Sequence, residues 1–111
     1  MKTTLSLVVF AAALGCANVS LAADAATNWK AQCAKCHGPD GAGKTSIGAR
    51  LSIKDYTVAA SLADLTDAQL TEAIANGVKV DGKTVMPAYG AKLAAEEVTE
   101  LVVFIRAMAK P

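Results

Sequence analysis

A chain of 111 residues is enough for one small domain and not for two. Its 11 basic and 10 acidic residues leave a net charge of +1, with no basic excess for nucleic acid and no acidic tail. A DNA- or RNA-binding module is therefore not expected.

The chain opens with Lys2, then an apolar run from Leu5 to Ala17, LSLVVFAAALGCA, then Ser20-Leu21-Ala22 and Ala23-Asp24. A charged start, a short apolar core and small residues at its end are the layout of a secretory signal. The core falls short of the about 20 residues that span a bilayer. Residues 1–22 are thus expected to be a signal peptide cut after Ala22 or Ala23, leaving a periplasmic domain over 23–111 with no stable membrane anchor. Cys16 in ALGC loosely resembles a lipoprotein lipobox, but Ala13 and Leu14 stand where that pattern has Leu and a small residue. Lipid anchoring through Cys16 is the minor alternative.

Of three cysteines the mature chain keeps Cys33 and Cys36, so no long-range disulfide is available to it. Small exported domains commonly offset a thin core with disulfides. A large buried cofactor would do the same.

The first helix is expected from Ala25 or Ala26 to Cys36, with Ala25, Trp29 and Cys33 on one face. GPDGAGKTSIGARL, with glycines at 38, 41, 43 and 48, reads as a loop. A short helix is expected within residues 56–64. The next has a clear start: Thr66 with Gln69 makes a capping box, Leu70, Ala73 and Ile74 form the buried stripe, and Asn76-Gly77 ends it. VKVDGKTVMPAYGAK reads as a second loop, with turns at Asp81-Gly82 and Pro87. The last helix, Ala95 to about Ala109, repeats Val98, Leu101, Val102, Ile105 and Met108, with Glu96 and Glu97 at its start and Arg106 near its end. No half-buried alternation persists, so the expected fold is all-α.

The chemistry lies in CAKCHG, residues 33–38. A structural zinc site needs four ligands, and the mature chain offers only Cys33, Cys36 and His37 as Cys or His. A redox dithiol favours a CxxC at the start of a helix that follows a strand. Here the pair ends a helix and no strand precedes it. Haem attachment fits every part: two thiols for two thioethers, and an adjacent His37 for the iron. No second histidine exists to fill the sixth position. Met1 leaves with the signal and Met108 sits on a core stripe, which leaves Met86 in a loop before Pro87. Proline pushes the preceding residue towards an extended backbone and offers no N–H.

With CAKCHG first and VMPAYG near the C-terminus, the chain resembles the class I c-type cytochromes over nearly its whole mature length. The resemblance implies three to five helices around one covalently bound haem c, held by Cys33 and Cys36, with His37 and Met86 as axial ligands. It implies that the first and last helices cross, through Ala25 and Trp29 against Leu101 and Phe104. Two positions depart from the family pattern. Ala49 replaces a proline whose carbonyl accepts a bond from the proximal histidine, and Ala94 replaces the usual Ser or Thr cap.

The expected function is a monomeric electron carrier, not an enzyme, serving an oxidase, reductase or dehydrogenase. Leu51, Ile53, Leu70, Ile74, Val85, Tyr89 and Leu101 are candidate walls of the haem pocket, and Arg50 and Tyr56 candidate propionate partners. Lys35, Lys44, Lys83 and Lys92 are candidates for steering an acidic partner. The alternatives are a haem enzyme or sensor with an open sixth site, and a thiol oxidoreductase using Cys33 and Cys36.

Overall fold

The computed structural model describes residues 23–110. The segment expected to be a signal peptide, with Cys16, lies outside them. Asp24 opens the first helical run, its carboxylate accepting from the Thr27 backbone N–H at 2.7 Å. The run consists of α1 (Ala25–Asn28), a π turn (Trp29–Cys33) and α2 (Ala34–His37) without a break in helical conformation. The expected first helix is present and extends through the histidine. Gly38, at φ 83°, ends it in a conformation that a side chain would resist.

The glycine-rich stretch is not all loop. It carries α3 (Ser46–Leu51), capped by Thr45, whose hydroxyl accepts from the Gly48 N–H at 2.8 Å. Gly48 stands inside this helix for a steric reason: a Cβ there would lie 2.1 Å from the Gly43 carbonyl oxygen. Close backbone approach, which a sequence does not display, overrode glycine's poor helix propensity.

α4 (Ala59–Ala63) is the short helix expected within 56–64. α5 (Asp67–Asn76) has both halves of the capping box: Thr66 Oγ1 accepts from Gln69 N at 3.1 Å, and Gln69 Oε1 from Thr66 N at 2.9 Å.

The all-α expectation needs correction in the second loop. There β1 (Val78–Val80) and β2 (Lys83–Met86) form a two-stranded antiparallel hairpin, so the fold is mostly helical with one small sheet. Asp81 and Gly82 connect the strands with φ 51° and 75°, the double left-handed backbone of a two-residue hairpin turn. The strands escaped notice because β1 is exposed along its whole length and so shows no alternation. The ladder pairs Lys79 with Thr84 and Val78 with Met86, leaving Val85 as the extra residue of a bulge.

α6 (Ala95–Met108) closes the domain. Ala94 has no oxygen to cap it, but Glu97 Oε1 accepts from the Ala94 N–H at 3.1 Å and supplies half a box. α6 packs against α1 and α5. Between them lies a core of Trp29, Leu62, Leu70, Ile74, Leu93, Val98, Leu101, Val102 and Ile105, with Leu101 fully buried. The Trp29 and Phe104 rings lie 5.8 Å apart, so the expected first-to-last helix contact is present. Arg106 ties α6 to the α4–α5 junction, donating to the Asp67 carboxylate at 2.9 Å, to the Leu62 carbonyl at 2.9 Å and to the Leu65 carbonyl.

Two carboxylates make the N-terminal end of this packing acid-sensitive. The Thr27 N–H holds Asp24 below its ordinary 3.8, and the Asn28 amide, foremost, holds Glu97 below its ordinary 4.5. The unfolded chain therefore binds more protons than the folded one across that interval, and the stabilisation, present above it, is lost as pH falls through the folded values. The thermal midpoint is expected to drop below about pH 4.5, and calorimetry should find part of that drop missing in Glu97→Gln.

Candidate haem-binding site

Short-range bonds fix the CAKCHG backbone. Trp29 Nε1 donates to the Gly38 carbonyl at 2.9 Å, beneath the surface. The Thr45 hydroxyl donates to the Cys36 carbonyl at 2.7 Å, and the Gly43 N–H to the His37 carbonyl at 2.8 Å. Thus the glycine-rich segment folds back over the motif and clamps it. Cys33 and Cys36 are free, half-buried thiols.

The His37 ring stacks on Tyr56, centroids 5.4 Å apart and planes 20° apart, and meets Trp29 at 5.6 Å. Its Nδ1 is buried with no hydrogen-bond partner. Ala49 does not provide one: it lies in α3, where its carbonyl accepts from the Ser52 N–H at 3.4 Å. The helix that the sequence concealed is the reason this carbonyl is engaged elsewhere.

Met86 is delivered from the other end of the chain by the hairpin and the turns after it. Regular strand neighbours point to opposite faces, but the bulge at Val85 lets Val85 and Met86 face the same cavities. The segment is tied down by Tyr89 N to Ile74 O at 2.9 Å and Gly90 N to Ala75 O at 3.0 Å. Tyr89 Oη then donates to the Gln32 carbonyl at 3.1 Å, joining this segment to the residue before Cys33. Gly77 has φ 76° and ψ −177°, and a Cβ on it would lie 2.5 Å from the Met86 carbonyl oxygen. This backbone region belongs almost solely to glycine, at a cost of about 1–3 kcal/mol for other residues. Gly77→Ala is expected to lose at least that much in denaturant unfolding and to displace Met86.

Around these groups lie three neighbouring cavities, the largest about 170 Å³, and each is lined by both His37 and Met86. One has Cys33, Cys36, His37 and Met86 together on its walls, with Ile53, Val85 and Tyr89. The second reaches inward to Trp29, Leu70, Ile74, Leu101 and Ile105. The third opens between Leu51, Ile53, Tyr56 and Val78. All seven expected wall residues line one or another of these cavities. Gln32, Lys54, Ala73, Val78, Pro87 and Ile105 line them too and were not among the expected walls; Ala73 and Ile105 were readable only as parts of the α5 and α6 stripes. Arg50 is exposed, and Tyr56 is half-buried beside His37. Met108 lines none of the three cavities, its sulfur lying where a Cβ on Gly41 would be, 2.3 Å away. Lys35, Lys44, Lys83 and Lys92 are exposed.

Burial dominates the electrostatics. It pushes the Cys33 thiol up to about 11, with a smaller contribution from Cys36. It lowers His37 below its ordinary 6.5, keeping the imidazole neutral with a lone pair to donate. A redox dithiol needs the reverse shift at its attacking thiol. Two free thiols, a neutral imidazole with an orphaned nitrogen and a thioether around one apolar space are a donor set that fits a covalently attached haem.

Comparison with known proteins places the chain in a family. Residues 20–105 match the family described as cytochrome C oxidase, cbb3-type, subunit III. Among solved structures, the KustC0563 c-type cytochrome is similar at 30% identity with a TM-score of 0.69, over 79% of this chain and 100% of that one. A tyrosine-to-phenylalanine mutant of Kustc0563 is similar at 29% identity with a TM-score of 0.66, over 78% and 99%. No curated protein matches. Among the described residues no helix is long and apolar enough to cross a membrane. Matched over residues 20–105 by the family model and similar in fold over most of its length to a c-type cytochrome, the chain belongs to the cbb3-type subunit III cytochrome family and is a small c-type cytochrome.

Proposed function

We propose that the protein is an exported single-haem electron carrier, with thioethers at Cys33 and Cys36 and axial ligands His37 and Met86. The observation that carries this reading is one apolar cavity lined at once by both thiols, the imidazole and the thioether. A bound haem c supplies a one-electron Fe(III)/Fe(II) couple. Everything else is the chain's work. His37 is held neutral by burial and aimed by the rings of Trp29 and Tyr56. The bulge and Gly77 bring in Met86, a soft ligand that favours the reduced state. The apolar walls act in the same direction, because an additional buried charge costs free energy.

With two protein ligands in place, no position is left for a substrate, which favours a carrier over an enzyme. The partners are redox proteins, and the family's description points to a terminal oxidase among them. Exposed Lys35, Lys44, Lys83 and Lys92 suit an acidic docking face. The raised Cys33 thiol argues against a dithiol enzyme.

Intact mass and a redox-monitored spectrum of the exported protein test the proposal. The expected result is the cleaved chain plus one covalent haem, with a reversible one-electron transition and no carbon monoxide binding to the native reduced form. A colourless protein with two titratable thiols would overturn it in favour of the oxidoreductase. Ready binding of carbon monoxide would favour the open-site enzyme or sensor.

A further inference from the structure

The first described residues carry an arrangement that electron transfer does not use. Asn28 is buried, 6% exposed, and its Nδ2 donates to Glu97 Oε2 at 2.7 Å and to the Ala23 carbonyl at 3.2 Å. One amide nitrogen therefore holds the Ala23 main chain and the Glu97 carboxylate side by side. The Ala23 backbone N–H acts on the same carboxylate, adding to the effect of the Asn28 amide and the Ala94 N–H.

We propose that export processing hydrolyses the Ala22–Ala23 peptide bond and that the ammonium group so formed on Ala23 pairs with Glu97, stapling α1 to α6. In that hydrolysis the hydroxyl of water joins the Ala22 carbonyl carbon as the C–N bond breaks, and the Ala23 nitrogen takes water's other hydrogen and the proton released by the new carboxyl group, leaving a carboxylate and an ammonium. The inference rests on the export part of the proposed function and chooses between its two candidate bonds. A cut here puts Ser20 and Ala22 at the third and first positions before it, the small-x-small pattern of signal cleavage. A cut one residue later would put Leu21 at the third position and remove Ala23, one of the two acceptors of the buried Asn28 amide.

Before the cut, Ala23 presents a neutral amide to an anion; after it, a cation. The domain gains an attraction on release from its signal. Glu97 approaches from α6, while the adjacent Asp24 carboxylate is turned to the Thr27 N–H at 2.7 Å. An amine paired in this way has a raised pKa, so its stabilisation holds at neutral pH and fades as pH rises through that value.

N-terminal sequencing and intact mass of the exported holo-protein, followed by an NMR titration of its α-amine, test the proposal. The expected first residue is Ala23, with an amine pKa higher by about half a unit or more than in Glu97→Gln. A chain beginning at Asp24, one lipidated at Cys16, an uncut chain, or an amine pKa equal in both proteins would overturn it. A chain beginning at Ala23 with a raised amine pKa but no haem leaves the pair standing and sinks the haem reading alone.

Discussion

Replacing Met86 by alanine is expected to lower the reduction potential by on the order of 0.1 V or more, within the roughly 0.8 V that axial ligands span. On the proposed ligation the thioether stabilises the reduced state, and its loss would open the coordination position assigned to Met86. The variant should therefore bind carbon monoxide when reduced, whereas the parent should not. Met86 is half-buried at the end of a strand and outside the nine-residue core, so the fold should survive its truncation. Met108→Ala is the control. Its sulfur packs on Gly41, away from the three cavities, so its loss should cost stability and leave the spectrum unchanged. An unaltered spectrum and potential in Met86→Ala would remove methionine from the ligand set.

The second large effect concerns Trp29. Truncating a buried tryptophan costs about 3–5 kcal/mol, a large share of the about 5–15 kcal/mol that holds a domain together. Here the ring joins three things: the contact with Phe104 on α6, the contact with His37, and the bond to the Gly38 carbonyl just after the haem motif. Denaturant unfolding of Trp29→Ala should show the full cost. Trp29→Phe separates the parts, because it keeps an aromatic ring but removes one of the two bonds to the Gly38 carbonyl, which retains the Gly41 N–H at 3.2 Å, so the bond alone should cost about 0.5–1.5 kcal/mol. Equal losses in both variants would show that the single hydrogen bond, not the ring packing, dominates.

What could be read from the chain was whatever local chemistry settles. CxxCH was visible as a motif without tertiary information, and the single histidine and the want of further mature cysteines narrowed the chemistries it offers. α5 was legible because Thr66 and Gln69 cap each other, and α6 because its apolar stripe, Val98 to Met108, runs for about three turns. The misreadings share a cause. Gly48 is helical because of a backbone 2.1 Å from its missing Cβ, the hairpin strand β1 is too exposed to alternate, and Ala49 is engaged by a helix no propensity announced. Each is decided by backbone contacts between residues a few positions apart, which side-chain patterning does not display. The π turn is likewise hidden, for WKAQC by itself suggests an ordinary helix.

The two halves of the site differ in how far along the chain their supports reach. Around the histidine, Trp29 to Gly38 and Thr45 to Cys36 each close nine residues; the Tyr89–Gln32 bond on the methionine side closes 57. Closing a longer loop costs more entropy, and non-local contacts form later. During refolding the histidine half should organise first and the methionine arm arrive last. In a rapid-mixing experiment, Trp29 fluorescence should settle before the methionine-dependent absorbance does. The same asymmetry makes the methionine arm the first part to lift away when the protein is perturbed, so on the proposed ligation a weakened molecule would release Met86 before the half of the site built on the CxxCH motif.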